Sequence, residues 1–171
     1  AVRTDDGGLQ VMLSDGLGHG PLAALATARA VTDFLDGPRD RPAGVLRRIH
    51  GVMGHTRGAA VAVAEFDVGA GCLRYAGIGN VAGSIVEIGK RRGLVSYPGI
   101  VGHQIRGVRE SAHDLASGAV VVLHSDGVRE RWNAADYPGL FDRDPVVVAA
   151  TLLRDEGGRR DDASVLVARV A

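Results

Sequence analysis

The sequence predicts an α+β fold, an α-β-β-α sandwich of two antiparallel sheets flanked by helices. Three observations point there. Residues 21–53 hold two helical patterns, each with apolar positions recurring at helical spacing. Residues 59–97 hold short apolar runs separated by Gly-rich or charged turns. A strand, a helix and a last strand then close the chain. Short strands joined by hairpin-length links pair antiparallel, and helices with one apolar face need a sheet to bury it.

Each element has a local reason. Asp5-Asp6-Gly7-Gly8 is a turn sequence, so residues 1–4 and 9–14 read as the two arms of a β-hairpin, the first arm cut short. From Pro21 onward, Leu25, Ala28, Val31 and Leu35 fall on one helical face, and Gly37-Pro38 ends that helix. Pro42 stands near the start of a second helix, in which Val45, Leu46, Ile49, Val52 and Met53 form the stripe to be buried. Both helices are expected on one sheet. Strands are expected at residues 59–66, 73–78, 84–88 and 94–97, with turns at 67–71, 79–80 and 89–93. A strand at 119–124 runs into Ser125-Asp126-Gly127, and a helix is expected after it, with Arg129, Arg131 and Trp132 at its start. Asp144-Pro145 is an N-cap and first-turn pair for a helix over 146–153, and residues 163–170 read as the closing strand.

Composition narrows the function. The 171 residues suit one domain, 1–171. Twenty basic residues balance twenty acidic ones, so no net field exists to hold a nucleic acid backbone or an anionic membrane surface. Cys72 is the only cysteine and cannot form an internal disulfide. The chain opens polar, without a signal peptide, and no apolar run approaches the ~20 residues that span a bilayer, which makes the cytoplasm the expected compartment.

Three aspartate turns carry the chemistry. Asp15, Asp126 and Asp161-Asp162 each touch the end of an apolar strand, and strand ends can converge at one sheet edge. Gly follows Asp15 and Asp126, and its missing side chain lets a backbone carbonyl and an ion approach closely. Carboxylates with a carbonyl oxygen suit Mg²⁺ or Mn²⁺. A single Asp-Gly more often just makes a turn, but three such sites at strand ends favour a metal centre. A dinucleotide loop at Gly16-Leu17-Gly18-His19-Gly20 is disfavoured, because it lacks the G-x-G-x-x-G spacing and Asp15 would repel a pyrophosphate.

The stretches Val11-Met12-Leu13-Ser14-Asp15-Gly16-Leu17-Gly18-His19-Gly20, His124-Ser125-Asp126-Gly127-Val128 and Arg160-Asp161-Asp162-Ala163-Ser164-Val165 together resemble the signatures of the protein phosphatase 2C-like family. The nearest branch is that of the stage II sporulation protein E and stress-response sigma-regulator phosphatases, which Ala76-Gly77-Ile78-Gly79-Asn80 and Pro98-Gly99-Ile100-Val101-Gly102-His103 also resemble. The resemblance implies a metal-dependent serine/threonine phosphatase using two Mn²⁺ or Mg²⁺ ions and a metal-activated water. By similarity Asp15 would bridge the ions, the Gly16 carbonyl would bind the second, Asp126 and Asp161 would complete the first, and Asp162 would stand beside it. The implied substrate is a phosphorylated regulatory protein, a STAS-type anti-sigma antagonist or a stressosome component.

Two departures qualify the carry-over. Family members bear a further Gly-Asp pair at the start of the first strand, which here begins at Ala1, so one of the two ions is expected to bind weakly. Asp5 and Asp6 read as turn residues at the other end of that strand, not as substitutes. Many relatives also place a proton-donating His two residues after the first Asp, where this chain has Leu17 and carries His19 instead. His19 therefore has two readings, catalytic acid or solvent-exposed helix start. The competing function is a non-catalytic phosphatase-shaped module that binds a partner.

Overall fold

The computed structural model describes residues 1–4, 7–88, 90–158 and 162–169. The expected hairpin forms from β1 (Val2–Arg3) and β2 (Leu9–Gly16), with Val2 opposite Gln10; Asp5 and Asp6 lie outside the described residues. Two helices follow, α1 (Pro21–Asp36) and α2 (Pro42–Val52), each opened by its proline. Then come β3 (Ala59–Asp67), β4 (Cys72–Ile78), β5 (Ala82–Glu87) and β6 (Lys90–Leu94). A small ribbon, β7 (Gly99–Ile100) with β8 (Gln104–Ile105), precedes β9 (Ser111–Asp114) and β10 (Val120–His124). Helix α3 (Pro145–Glu156) and β11 (Val165–Arg169) end the order.

The strands form two antiparallel sheets, β1-β2-β3-β4-β9 and β11-β10-β5-β6. Between them lies a core of Val11, Leu13, Ala62, Tyr75, Ile85, Val121 and Leu123. Helices α1 and α2 cover the outer face of the first sheet through Phe34, Leu46, Ile49 and Val63. Helix α3 covers the second sheet, where Val148 and Leu152 meet Val120 and Val122. The layers are thus helix, sheet, sheet, helix, as expected. No helix among the described residues is long and apolar enough to cross a membrane.

Four local expectations are corrected. Leu25, Val31 and Leu35 are 55%, 38% and 44% exposed and Ala28 is exposed too, so that stripe faces outward; α1 buries Ala23, Ala26, Ala30 and Phe34 instead. The reason is close approach. A Cβ on Gly16 would stand 2.1 Å from the Ala23 carbonyl oxygen, so α1 lies on β2 where only small side chains fit. The strand expected at 94–97 is β6, ending at Leu94; beyond it the Tyr97 amide donates to the Gly77 carbonyl and the Tyr97 carbonyl accepts from the Gly79 amide, which draws this segment to the other sheet. Gly79-Asn80 is not a hairpin turn but the crossover from β4 in one sheet to β5 in the other. Directly after Asp126, over residues 127–133, there is no helix; only short 3-10 turns at Ala134–Asp136 and Leu140–Asp142 precede α3. Val128 donates to the Ser125 carbonyl in a turn, and the Arg129 amide donates to the Glu156 carbonyl, which ties the chain to the end of α3. Trp132 is packed there without a helix, stacked on Phe141 with the Arg91 guanidinium over its ring.

The cap of α3 is as expected, since the Asp144 carboxylate accepts from the Val146 amide at 2.9 Å. Asp144→Ala leaves that donor without its partner and is expected to cost about 1 kcal/mol. For a chain of this size the melting temperature should fall by roughly 2–4 °C; an unchanged melting curve would show that the cap contributes nothing.

Candidate functional site

Topology brings the aspartates to one rim. Strand β2 ends at Gly16, opposite the start of β3 at Ala59, and β4 ends beside β3 at the pair Val61–Ile78. The crossover Gly79-Asn80 therefore leaves the first sheet at the Asp15 end. It enters the second sheet where β5 begins at Ala82, opposite His124 at the end of β10, and where Val165 opens β11. The end of β2, the crossover, the Asp126 turn and the approach to β11 thus share one end of the sandwich. Asp15 is two residues beyond Leu13 and four beyond Val11, both of which face the other sheet, so the strand period turns Asp15 toward the same gap.

Asp126 is exposed and its Oδ2 accepts a hydrogen bond from Asn80 Nδ2. The Asp126 turn and the segment that begins at Asp162 are stitched together. Ser125 donates through its amide to the Ser164 carbonyl at 3.1 Å, and the Ser164 amide donates to Ser125 Oγ at 3.0 Å. A Cβ on Gly127 would lie 2.2 Å from the Asp162 carbonyl oxygen. The glycines after Asp15 and Asp126 are thus required by neighbouring backbone, of α1 in one case and of the Asp162 segment in the other. Asp161, like Arg159-Arg160, lies outside the described residues. His19 is exposed on the loop between β2 and α1.

A cleft of about 410 Å³ opens at this rim, lined by Asn80, Ser96, His124, Asp126, Arg129 and Glu130. His124 is buried, and burial pushes its imidazole below the ordinary value, with Arg91 adding to the effect and the Ser125 carbonyl and Glu130 opposing it. The carbonyl can only accept, so Nδ1 carries the proton in its 3.0 Å contact with Ser125. His124 is therefore a neutral wall of the cleft.

Two residues escape a reading of the sequence. Asn80 looks like half of a Gly-Asn turn, and only the crossover reveals its bond to Asp126. Arg57 looks like part of a linker between a helix and a strand. In the fold the Leu17 amide donates to the Gly58 carbonyl at 3.0 Å, and Arg57 Nη1 comes so close to Gly18 that a Cβ there would stand 2.9 Å from it. An exposed guanidinium thus overhangs the loop that follows Asp15.

The donors at the rim are carboxylate, amide and carbonyl oxygens, the set that Mg²⁺ and Mn²⁺ accept, and no thiolate is among them. Asp15, Asp126 and the Gly16 carbonyl fit such ions. Among the described residues no three His, Cys, Asp or Glu side chains by themselves form a group that could hold a metal.

Comparison with known proteins adds the context. The family model for stage II sporulation protein E matches residues 5–171. A solved structure described as belonging to the bacterial stressosome, a modular system adapted to control secondary messenger signalling, is 25% identical with a TM-score of 0.88, covering 99% of this chain and 88% of that one. RsbX in complex with magnesium is 18% identical with a TM-score of 0.78, covering 96% of this chain and 82% of that one. The Mycobacterium tuberculosis serine/threonine phosphatase PstP/Ppp is 16% identical with a TM-score of 0.71, covering 99% of this chain and 94% of that one. The fold is that of the PP2C-type phosphatases. Curated protein sequences gave no significant match.

Proposed function

The chain belongs to the stage II sporulation protein E (SpoIIE) family, and from that premise we propose that it is a metal-dependent protein serine/threonine phosphatase. The observation that carries the proposal is the convergence of Asp15, the Asn80-bonded Asp126 and the Asp162 segment at one rim of the sandwich. In this reading Asp15, the Gly16 carbonyl, Asp126 and Asp161 hold two Mn²⁺ or Mg²⁺ ions, with Asp162 supporting them. When bound, the ions offset negative charge and lower the pKa of a water, making it a nucleophile toward phosphorus.

The chain's own residues do the rest. Asn80 fixes one carboxylate oxygen of Asp126, which orients the other toward the rim. Arg57, beside Gly18, is placed to bind phosphate oxygens and offset their charge. As the water oxygen bonds to phosphorus, the bond from phosphorus to the serine or threonine oxygen breaks, and the leaving alkoxide needs a proton. His19 is the exposed side chain on the adjoining loop that can donate it. The substrate we infer is a phosphorylated regulatory protein of the STAS-antagonist or stressosome type, supported by the likeness to the stressosome structure.

Turnover of p-nitrophenyl phosphate and of a phosphoserine peptide should require Mn²⁺ or Mg²⁺, stop on exhaustive chelation and return when Mn²⁺ is restored. Activity that survives chelation overturns the metal reading, and no turnover with either ion would leave a partner-binding module.

A further inference from the structure

A cavity of about 680 Å³ lies beside the aspartate rim. Its lining includes Tyr97, Pro98, Ile100 and Gln104 with the guanidinium-bearing Arg106 and Arg109, and no Asp or Glu. Arg109 lies over the Tyr97 ring, 5.2 Å from its centroid. Neither arginine forms an ion pair among the described residues. The nearest carboxylate in sequence, Glu110, accepts instead from the Ala43 amide at 3.1 Å. Both arginines are exposed, so the cavity combines an apolar floor with two uncompensated positive charges.

The groove is tied to the rim. Val101 exchanges both backbone hydrogen bonds with Ala59, at 2.9 and 3.1 Å, while Ala59 pairs on its other side with Gly16. Two strand spacings, roughly 10 Å, therefore separate this segment from the residue after Asp15. Gly58 has φ +79, and a Cβ there would meet Ile100 at 2.5 Å, so the groove wall packs directly on the residue after Arg57. Contacts thus run from Gly18 to Arg57 and, through the buried Gly58, to Ile100. An extended peptide advances about 3.3 Å per residue, so roughly three or four residues bridge rim and groove.

We propose that this groove docks an acidic segment of the phosphoprotein substrate about three or four residues from the phosphorylated side chain. Arg106 and Arg109 pair with its Asp or Glu carboxylates, and Tyr97, Pro98 and Ile100 receive an apolar neighbour. The occupant is acidic because the cavity presents unpaired cations and no carboxylate, while the chain as a whole has no net charge to attract a polyanion. This assignment rests on the phosphatase reading and gives it a substrate preference.

The test uses two phosphoserine peptides that differ only in carrying Glu or Gln at three and four residues on either side, with p-nitrophenyl phosphate as a small ester that cannot reach the groove. The intact chain with Mn²⁺ should favour the Glu peptide by roughly tenfold in kcat/KM, through KM, as two partly exposed charge pairs allow. The double variant Arg106→Glu/Arg109→Glu should erase or reverse that preference while its rate on p-nitrophenyl phosphate stays unchanged and its melting temperature falls by no more than a few degrees, as loss of the exposed Arg109 guanidinium from the Tyr97 ring allows. Equal kcat/KM for the two peptides in the unaltered chain, or a preference retained in the variant, overturns the proposal. So does a variant that only converts a dimer to a monomer, which would make the groove a contact between copies. If p-nitrophenyl phosphate is not hydrolysed at all, the phosphatase reading fails separately. Fluorescence anisotropy with the same two peptides, labelled and unphosphorylated, then still decides whether the groove selects acidic residues.

Discussion

Replacing Asp126 with alanine is expected to lower turnover of a phosphoserine peptide on the order of a thousandfold while leaving the fold intact. Ion-borne charge stabilisation is worth several kcal/mol at phosphorus, and each 1.36 kcal/mol is tenfold in rate. Asp126 is exposed and bonded to Asn80, so its loss removes little packing. In the proposed site, removing one carboxylate also relieves its repulsion with the others before any ion is bound, so the melting temperature of the metal-free protein should hold or rise. Asp161→Ala is expected to behave alike. Steady-state kinetics, Mn²⁺ titration by calorimetry and a melt in the presence of chelator check the three parts. Undiminished turnover in the Asp126 variant would mean that the rim is not the site, and a collapse of the metal-free melt would mean that Asp126 serves the fold.

The readable parts of this chain are those in which the chemistry is local. An aspartate followed by glycine at the end of an apolar run announces oxygen offered at a strand end, and both stand at the common rim, Asp126 in the turn after β10 and Asp15 not in a turn but in the last two residues of β2. Helix α2 was legible because its large residues, Leu46 and Ile49, are the buried ones. Helix α1 was not. Its sequence carries leucines on one side and alanines on several, and a stripe of leucines normally marks the buried face. What reverses the rule is the contact at Gly16, where the helix backbone approaches β2 too closely for a large side chain, a tertiary fact with no local signature. The crossover at Gly79-Asn80 was hidden for a similar reason. Its length suits a hairpin, and only the pairing of β5 with β10 rather than with β4 shows that the chain changes sheets there. Asn80 and Arg57 gain their places at the rim from that pairing and from the loop contact at Gly58, not from any motif around them.

Gly127→Ala is expected to cost both stability and function, with or without metal, and this separates two accounts of the glycine after Asp126. If glycine is there to let an ion approach the backbone, a methyl group acts only when metal is bound. The geometry says otherwise. The added Cβ would stand 2.2 Å from the Asp162 carbonyl oxygen, 2.8 Å from its carbonyl carbon and 3.0 Å from the Ala163 Cα, all of them backbone atoms that cannot rotate away. The Gly127 carbonyl is also held by the Gly158 amide at 2.7 Å, and Ser125 is bonded twice to Ser164, so the Asp126 turn cannot simply retreat. One segment must move by about an ångström relative to the other. Overpacking of this kind costs about 1–3 kcal/mol, a fall of roughly 2–12 °C in melting temperature with or without metal. The same displacement shifts Asp162 against Asp126, and a misplacement of that size can lower turnover on the order of a hundredfold. Gly51→Ala is the control, because nothing lies within 4 Å of its added Cβ and it sits in helix α2, where alanine is favoured by about 1 kcal/mol. It should raise the melting temperature and leave turnover alone. A Gly127→Ala chain whose metal-free melt matches the unaltered protein would sink the packing account and return the glycine to the ion.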